Sequence, residues 1–331
     1  MSQNARNSKN NISYNSKDGA KKKLLVAILT TFVALLVVIA IIVFSEIGMS
    51  IARLSNNKDK DSDKQNSQND TKIEYKNLPY NSSDVNIGEL VLVNGDHQYT
   101  ITSAVTDDLV NMYEYHKSNV PTGNYYYTFT TSYLKLNTVA MENFHRMAKD
   151  FVAQSGDNSL MVTSAFRTLE EQQGYQILPG YSEAHTGYIL ALSSFKNGSR
   201  IDLTPSDPVF SWIYDHAHEY GFVVRYPSDK IAQTNISNYL ECFRYVGVLN
   251  AQIMKENNFC LEEYIDHLKK YTFEGEHFEV NTDDGSTYEL YYVPASTNEL
   301  TTIPVPANSD AHPYTISGTN AGGFVVSVKL K

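Results

Sequence analysis

The run Leu24–Phe44, LLVAILTTFVALLVVIAIIVF, holds 21 residues with no charge and only Thr30 and Thr31 as polar interruptions. At about 1.5 Å of rise per residue, a helix of that length spans ~30 Å, the hydrocarbon thickness of a bilayer. The run exceeds the ~7–15 apolar residues of a signal-peptide core. SEIGMS follows it instead of a small-x-small cleavage site. A buried globular helix would show a polar face, and this segment has none. The expectation is one transmembrane helix over 24–44. Charge sets its direction. Residues 1–23 carry Arg6, Lys9, Lys17, Lys21, Lys22 and Lys23 against Asp18, a net of +5, so a whole-chain charge of −10 leaves −15 for the remainder. The three lysines beside the span place the tail 1–23 in the cytoplasm and everything beyond residue 45 outside.

The segment Ser55–Asp70, SNNKDKDSDKQNSQND, is polar, charged and nearly free of aliphatic residues. Burial cannot offset its ordering entropy, so 45–74 is expected to be a flexible stalk. Globular texture begins near residue 75. GELVLVNGDHQYTI reads as two strands about an Asn-Gly turn, and a helical pattern follows at about 106–118. In NTVAMENFHRMAKDFVAQ, Val139, Phe144, Met147, Ala148 and Phe151 recur at the spacing of one helix face. A strand LMVTSAF, a helix through LEEQQGYQ and a strand GYILALSSF come next. Asp207 and Pro208 open a helix as N-cap and first position, and Gly221 closes it. FRYVG then reads as a strand and LEEYIDHLKK as an amphipathic helix. Helices and short strands without strict alternation indicate an α+β fold. Beyond Lys270, two strands around an Asp-Gly turn and the run GGFVVSVKL predict a small β extension over 271–331. There is no glycine-rich phosphate loop, and the acidic exterior argues against nucleic acid as a partner. Cys242 and Cys260 fall in the exported part, where they could form a disulfide or serve as two small apolar residues.

Five stretches carry a resemblance: VTSAFRTLEEQ (162–172), SEAHTG (182–187), HAHEYGFVVRYP (216–227), FRYVG (243–247) and LEEYI (261–265). In this order they resemble the VanY-type D-alanyl-D-alanine carboxypeptidases, zinc peptidases of the bacterial cell wall. That family shares a fold with lysostaphin-type enzymes and the hedgehog signalling domain. The resemblance covers about residues 85–270. It implies an antiparallel sheet with flanking helices, in a domain over 75–270. It also implies a metal held by three side chains, with a fourth position open for water.

The family's first signature, S-x-H-x-x-G-x-A-x-D, supplies a His and an Asp ligand. Its second, E-x-W-H ahead of F-R-Y-V-G, supplies the general base and the third ligand. Anchored on Ser182 and Gly187, this chain has Ala184 at the His position and Ala191 at the Asp position. Anchored on FRYVG, it has Cys242 as third ligand and Tyr239 as base. Methyl groups donate no electron pair, and a tyrosine, with a reference pKa near ~10, accepts protons poorly at neutral pH. His185, one residue past the ligand position, is the rescue candidate, although on a strand it would face the other way. Cys242 could bind a soft metal as thiolate. Glu241 lies two residues beyond the base position and needs a backbone irregularity to reach the site. His216 and His218, two apart on a predicted helix, diverge.

The resemblance places Arg167 near the substrate, where it would recognise a carboxylate, or alternatively form a salt bridge pinning the next helix. Ser182 and Gln173 fall where the family has polar residues around the peptide terminus; a turn cap and a solvated helix residue are the alternatives. Arg225, Tyr226 and Arg244 are expected to be architectural. The expectation is therefore a domain anchored in a bacterial cell membrane that has lost zinc and catalysis. It would need no cofactor and would bind a peptidoglycan stem peptide or regulate a cell-wall hydrolase. Two alternatives stay open: an active zinc D,D-carboxypeptidase with relocated ligands that trims terminal D-Ala, and a purely structural interaction module.

Overall fold

The computed structural model describes residues 73–331, Asn238 excepted. The expected cytoplasmic tail 1–23, transmembrane helix 24–44 and nearly all of the stalk 45–74 lie outside the described residues. Among the described residues no helix is long and apolar enough to cross a membrane. Residues 73–331 belong to one compact unit.

The unit opens with β1 (Tyr75–Asn81), β2 (Leu109–Asn111), α1 (Met112–Asn119), β3 (Thr128–Phe129) and β4 (Lys135–Asn137). Then come α2 (Thr138–Ser155), β5 (Leu160–Ser164), β6 (Ile189–Lys196), β7 (Ser199–Asp202), α3 (Ser211–His216), β8 (Phe222–Tyr226) and β9 (Tyr239–Tyr245). Last are α4 (Val248–Glu256), α5 (Leu261–Leu268), β10 (Phe278–Asn281), β11 (Thr287–Pro294), β12 (Leu300–Pro306), β13 (Tyr314–Gly318) and β14 (Gly323–Lys329). The architecture is α+β, as composition and pattern indicate.

The central sheet runs β3-β5-β6-β9-β8, with β7 paired to the far end of β6. Only the β3–β5 contact in it is parallel. Helix α2 starts where the Asn137 side chain accepts the Val139 and Ala140 amides, and it stops at left-handed Gly156. Its apolar stripe, including Met141, Phe144, Met147 and Phe151, is fully buried against Leu160, Val162, Leu190, Leu192 and Phe243. Full burial of each such side chain contributes ~1.5–3 kcal/mol. Because side chains alternate along a strand, Leu190 and Leu192 face α2 while Ile189 and Ala191 are left for the opposite face. That opposite face carries the cleft described below.

Residues 271–331 are no appendage. Strands β10-β11-β14-β13 form one sheet, and β1 pairs with β12, Tyr75 opposite Pro306. Leu290, Tyr292 and Val325 pack with Leu90, Val246, Tyr264 and Leu268 in one core, while Tyr291, Val293, Phe324 and Val326 pack with Ile303 and Val305 in another. Both faces of β11 and β14 are thus covered, which is why YELYYVP and FVVSV are nearly unbroken apolar runs. The expected division between 270 and 271 does not coincide with any break in packing.

Three local expectations are corrected. LEEQQGYQ forms turns and no helix: Thr168 and Glu171 begin a capping box, and Gly174, at φ 88°, ends it within a turn. GELVLVNGDHQYTI keeps its Asn-Gly turn, with a single bridge between Asn94 and His97, but its flanks are not strands. Their carbonyls are engaged elsewhere, those of Glu89 and Val91 by the Arg244 guanidinium. The helical pattern at 106–118 resolves into β2 and the shorter α1.

Candidate ligand cleft

A cavity of about 320 Å³ opens on the sheet face that α2 leaves bare. All four positions expected to carry the chemistry, Ala184, Ala191, Tyr239 and Cys242, line it. The sheet brings them together. Ser164 on β5, Ala191 on β6 and Cys242 on β9 are register partners in one row. Ala184 arrives on a 3-10 turn, Glu183–Thr186, directly before β6. Gly187 closes that turn at φ 74°, with the Leu109 side chain 2.8 Å from where a Cβ would sit. The SEAHTG glycine is thus required by backbone conformation and by space. The FRYVG glycine is required likewise: Gly247 sits at φ 83°, and a Cβ there would lie 2.5 Å from Glu89 Oε1.

His185 does not take over as a ligand. It lies on the 3-10 turn and not on a strand, and it is fully buried outside the cavity lining. Its Nδ1 donates to the Arg167 carbonyl at 2.7 Å, and its Nε2 accepts the Gly180 amide at 3.0 Å. No lone pair remains for a metal. Burial also lowers its pKa, which suits this neutral tautomer. Cys242 is a free thiol, as is Cys260, so no disulfide joins them. Burial pushes the Cys242 thiol up to about 12, leaving it protonated at neutral pH. It packs with Ala184, Ile189, Tyr226 and Ile236 in a small apolar cluster. His216 is bound to Glu219 at 2.8 Å and stacked on Trp212, away from the cleft. Among the described residues no three His, Cys, Asp or Glu side chains gather as a metal-holding group. The donor set of the cleft does not fit a three-ligand zinc site.

The polar wall is intact. Arg167 Nη1 donates to Ser164 Oγ at 2.9 Å and its Nε to Gln172 Oε1 at 2.8 Å, while the guanidinium lies 4.2 Å from the Tyr175 ring centre. These partners are all neutral, so Arg167 is oriented without being neutralised. The salt bridge to a following helix is not formed, and that helix is itself absent. Ser182 Oγ accepts the Ala184 amide at 3.3 Å and lines the cavity, joining the turn-cap and lining roles. Gln173 is exposed and outside the lining. The residue that matters is its neighbour Gln172, fully buried, whose Nε2 donates to the Ile177 carbonyl at 2.8 Å. Glu241 reaches the cleft, and burial raises its pKa above the usual carboxylate range.

Behind the cleft floor sits a buried charge network that sequence reading located only in part. Arg225 and Arg244 are architectural, as expected, and 1% and 0% exposed. Their partners were missed. Glu183 holds Arg225 Nε at 2.8 Å and pairs with Arg244 Nε at 2.9 Å, and Glu262 takes both Arg225 terminal nitrogens at 2.7 and 3.0 Å. Burial opposes the Arg225 charge, but Glu183 and Glu262 outweigh it and raise its pKa. Two arginines expected inside the fold were themselves the signal, since buried charges need partners. Glu183 therefore connects the turn that bears Ala184 to β8 and β9.

Residues 173–248, most of the cleft-forming segment, match the family model described as VanY, D-alanyl-D-alanine carboxypeptidase. The D-alanyl-D-alanine carboxypeptidase of Enterococcus faecium is 30% identical over 254 residues, 73% of this chain and 75% of that protein. The chain belongs to the VanY family. Among solved structures, the vancomycin resistance D,D-dipeptidase VanXYg, in complex with a D-Ala-D-Ala phosphinate analogue, superposes with a TM-score of 0.63. That match has 26% identity and covers 77% of this chain and 99% of the other. The Bacillus subtilis putative carboxypeptidase YodJ is 37% identical over 93 residues, 28% of this chain and 34% of that protein. Within the VanY fold, then, the positions that diverge from the family signatures meet at one place, the cleft floor.

Proposed function

We propose that this VanY-family protein is a non-catalytic receptor for peptidoglycan stem peptides ending in D-Ala-D-Ala, displayed on the outer face of a bacterial cell membrane. The observation that carries this reading is the contrast between the two sides of the cleft. At the four chemical positions stand Ala184, Ala191, Cys242 and Tyr239, and two of them are packed into an apolar cluster. Opposite, Arg167 is held in place by neutral partners and keeps its charge available. An oriented guanidinium over a small cavity suits a peptide carboxylate. A volume of about 320 Å³ suits a peptide terminus better than a folded partner such as a hydrolase. The relatives named for D-Ala-D-Ala chemistry supply the ligand class. The uncharged run 24–44 supports anchoring, with the tail inside and residues 73–331 outside; protease shaving of intact cells should remove this domain.

The test combines binding and turnover. The purified full-length protein should bind a D-Ala-D-Ala-terminated pentapeptide in calorimetry, release no D-Ala with or without added zinc, and lose binding by about tenfold or more on Arg167→Ala. Release of D-Ala together with stoichiometric zinc would replace this reading with the enzymatic one. Absence of peptide binding would refute it.

A further inference from the structure

The β8–β9 pairing contains an irregularity at the cleft. Val224 faces Phe243, but two residues on, Tyr226 faces Tyr239, so Leu240, Glu241 and Cys242 oppose Arg225 alone. On a regular strand Glu241 and Cys242 would point to opposite faces. Both line the cavity beside this bulge. Glu241 is half-buried, and among the described residues its carboxylate forms no ion pair and no hydrogen bond to another residue, accepting only from its own backbone amide. The charges that act on it are those of Asp202 and Arg200; Arg200 lines the same cavity and meets Asp202 at 3.4 Å in an exposed pair.

The cleft therefore carries charges of both signs, Arg167 and Arg200 with Glu183 and Glu241, of which Glu183 is already bound to Arg225 and Arg244. At one end stands Arg167, hydrogen-bonded to Ser164, and at the other Glu241, next to Cys242. Ser164, Ala191 and Cys242 lie in register on three adjacent strands, so Ser164, to which Arg167 donates, and Cys242, which follows Glu241, are ~10 Å apart across an alanine floor. Two extended peptide residues span ~7 Å. A ligand that satisfies both ends carries a carboxylate at its terminus and a protonated amine a few residues before it.

We infer that Glu241 is a specificity-determining residue that recognises a free primary amine on the ligand, so that the cleft selects stem peptides with an unmodified basic side chain over those whose amine has been acylated. This rests on the peptide-binding reading of the cleft. A partly desolvated carboxylate makes a strong, charge-assisted contact with an ammonium and only a weaker one with the single neutral N–H that an acylated amine retains. Acyl transfer to that amine is the class of reaction that removes the ligand from the pool the protein sees.

Two probes decide it, Nα-acetyl-Lys-D-Ala-D-Ala and the same peptide with the lysine Nε acetylated, titrated into the full-length protein by calorimetry at low salt. The wild type is expected to prefer the free amine by about tenfold or more. Glu241→Gln should erase that preference by weakening the free-amine peptide alone, and Glu241→Asp should restore part of it. Equal wild-type affinity for both peptides overturns the inference and leaves the receptor reading standing. So does an equal loss on both peptides in Glu241→Gln, which would make Glu241 structural. No binding of either peptide overturns both.

Discussion

At the scale of single residues, two kinds of polar group must be told apart: those that hold the scaffold and those left open to a ligand. His185, Glu183, Arg225 and Arg244 are spoken for within the protein, whereas Arg167 and Glu241 keep charge directed at the cleft. Arg225→Met should destabilise the fold by ~3–5 kcal/mol in urea denaturation, because it strands Glu262 and half of the Glu183 pairing in a buried setting. A loss below ~1 kcal/mol, typical of an exposed pair, would contradict that. Restoring the family pattern with Ala184→His, Ala191→Asp, Cys242→His and Tyr239→Glu should create a zinc site on an unchanged scaffold. Metal analysis after zinc loading should then find about one equivalent in the variant and none in the wild type. Equal uptake by both proteins would count against the apolar-floor account.

At the scale of elements, β1 is fastened to the C-terminal sheet by a titratable clasp. Tyr75 donates its hydroxyl to Glu289 on β11, and His277 Nδ1 meets the other Glu289 oxygen at 2.9 Å. His277 Nε2 meets the Phe273 carbonyl at 3.0 Å. Both ring nitrogens face acceptors, so both contacts form only in the imidazolium. The hydrogen bond to Glu289 accordingly raises the His277 pKa against the effect of burial, with Glu279 adding to it. Burial would raise the Glu289 pKa, but the bonds from His277 and Tyr75 hold it low, with His312 assisting. A raised histidine pKa contributes stability that is full below its unfolded value near ~6.5 and lost as pH rises through the folded value. The Glu289 contribution runs the other way and is lost as pH falls through its lowered value. The thermal midpoint of His277→Gln should therefore fall below that of wild type most clearly around pH 5–6, and the gap should close toward pH 9. A gap constant across that range would show the clasp to be pH-independent.

At the scale of the whole molecule, the cleft depends on a sheet system whose parts are far apart in sequence. Strand β1 begins the described unit, yet its partner β12 lies in the segment that the sequence presents as an extension. Removing 271–331 would expose Leu90, Val246, Tyr264 and Leu268 on one side and leave β1 unpaired. The truncated protein should show no cooperative unfolding transition and no near-ultraviolet circular dichroism. A folded, peptide-binding truncation would mean that the 75–270 segment is independent after all.

What the residues themselves make legible is local or positional. The period of α2, the Asp-Gly hairpin and the four substitutions in the VanY signatures all appear within short windows, because helix faces and turns are set by near neighbours. Convergence of Ala184, Ala191, Tyr239 and Cys242 is what the family resemblance implies, and all four line the one cleft. The tertiary structure decided the rest. Whether His185 faces the cavity depends on a 3-10 turn closed by partners at Arg167 and Gly180, and Glu241 lines the cavity beside a bulge opposite Arg225. The union of β1 with β12 and the burial of both faces of β11 rest on contacts between residues more than two hundred positions apart for the former pair and from several elements at once for the latter. Such contacts leave no periodicity in a single chain, since the pairing energy comes from the partner strand and not from the strand's own neighbours.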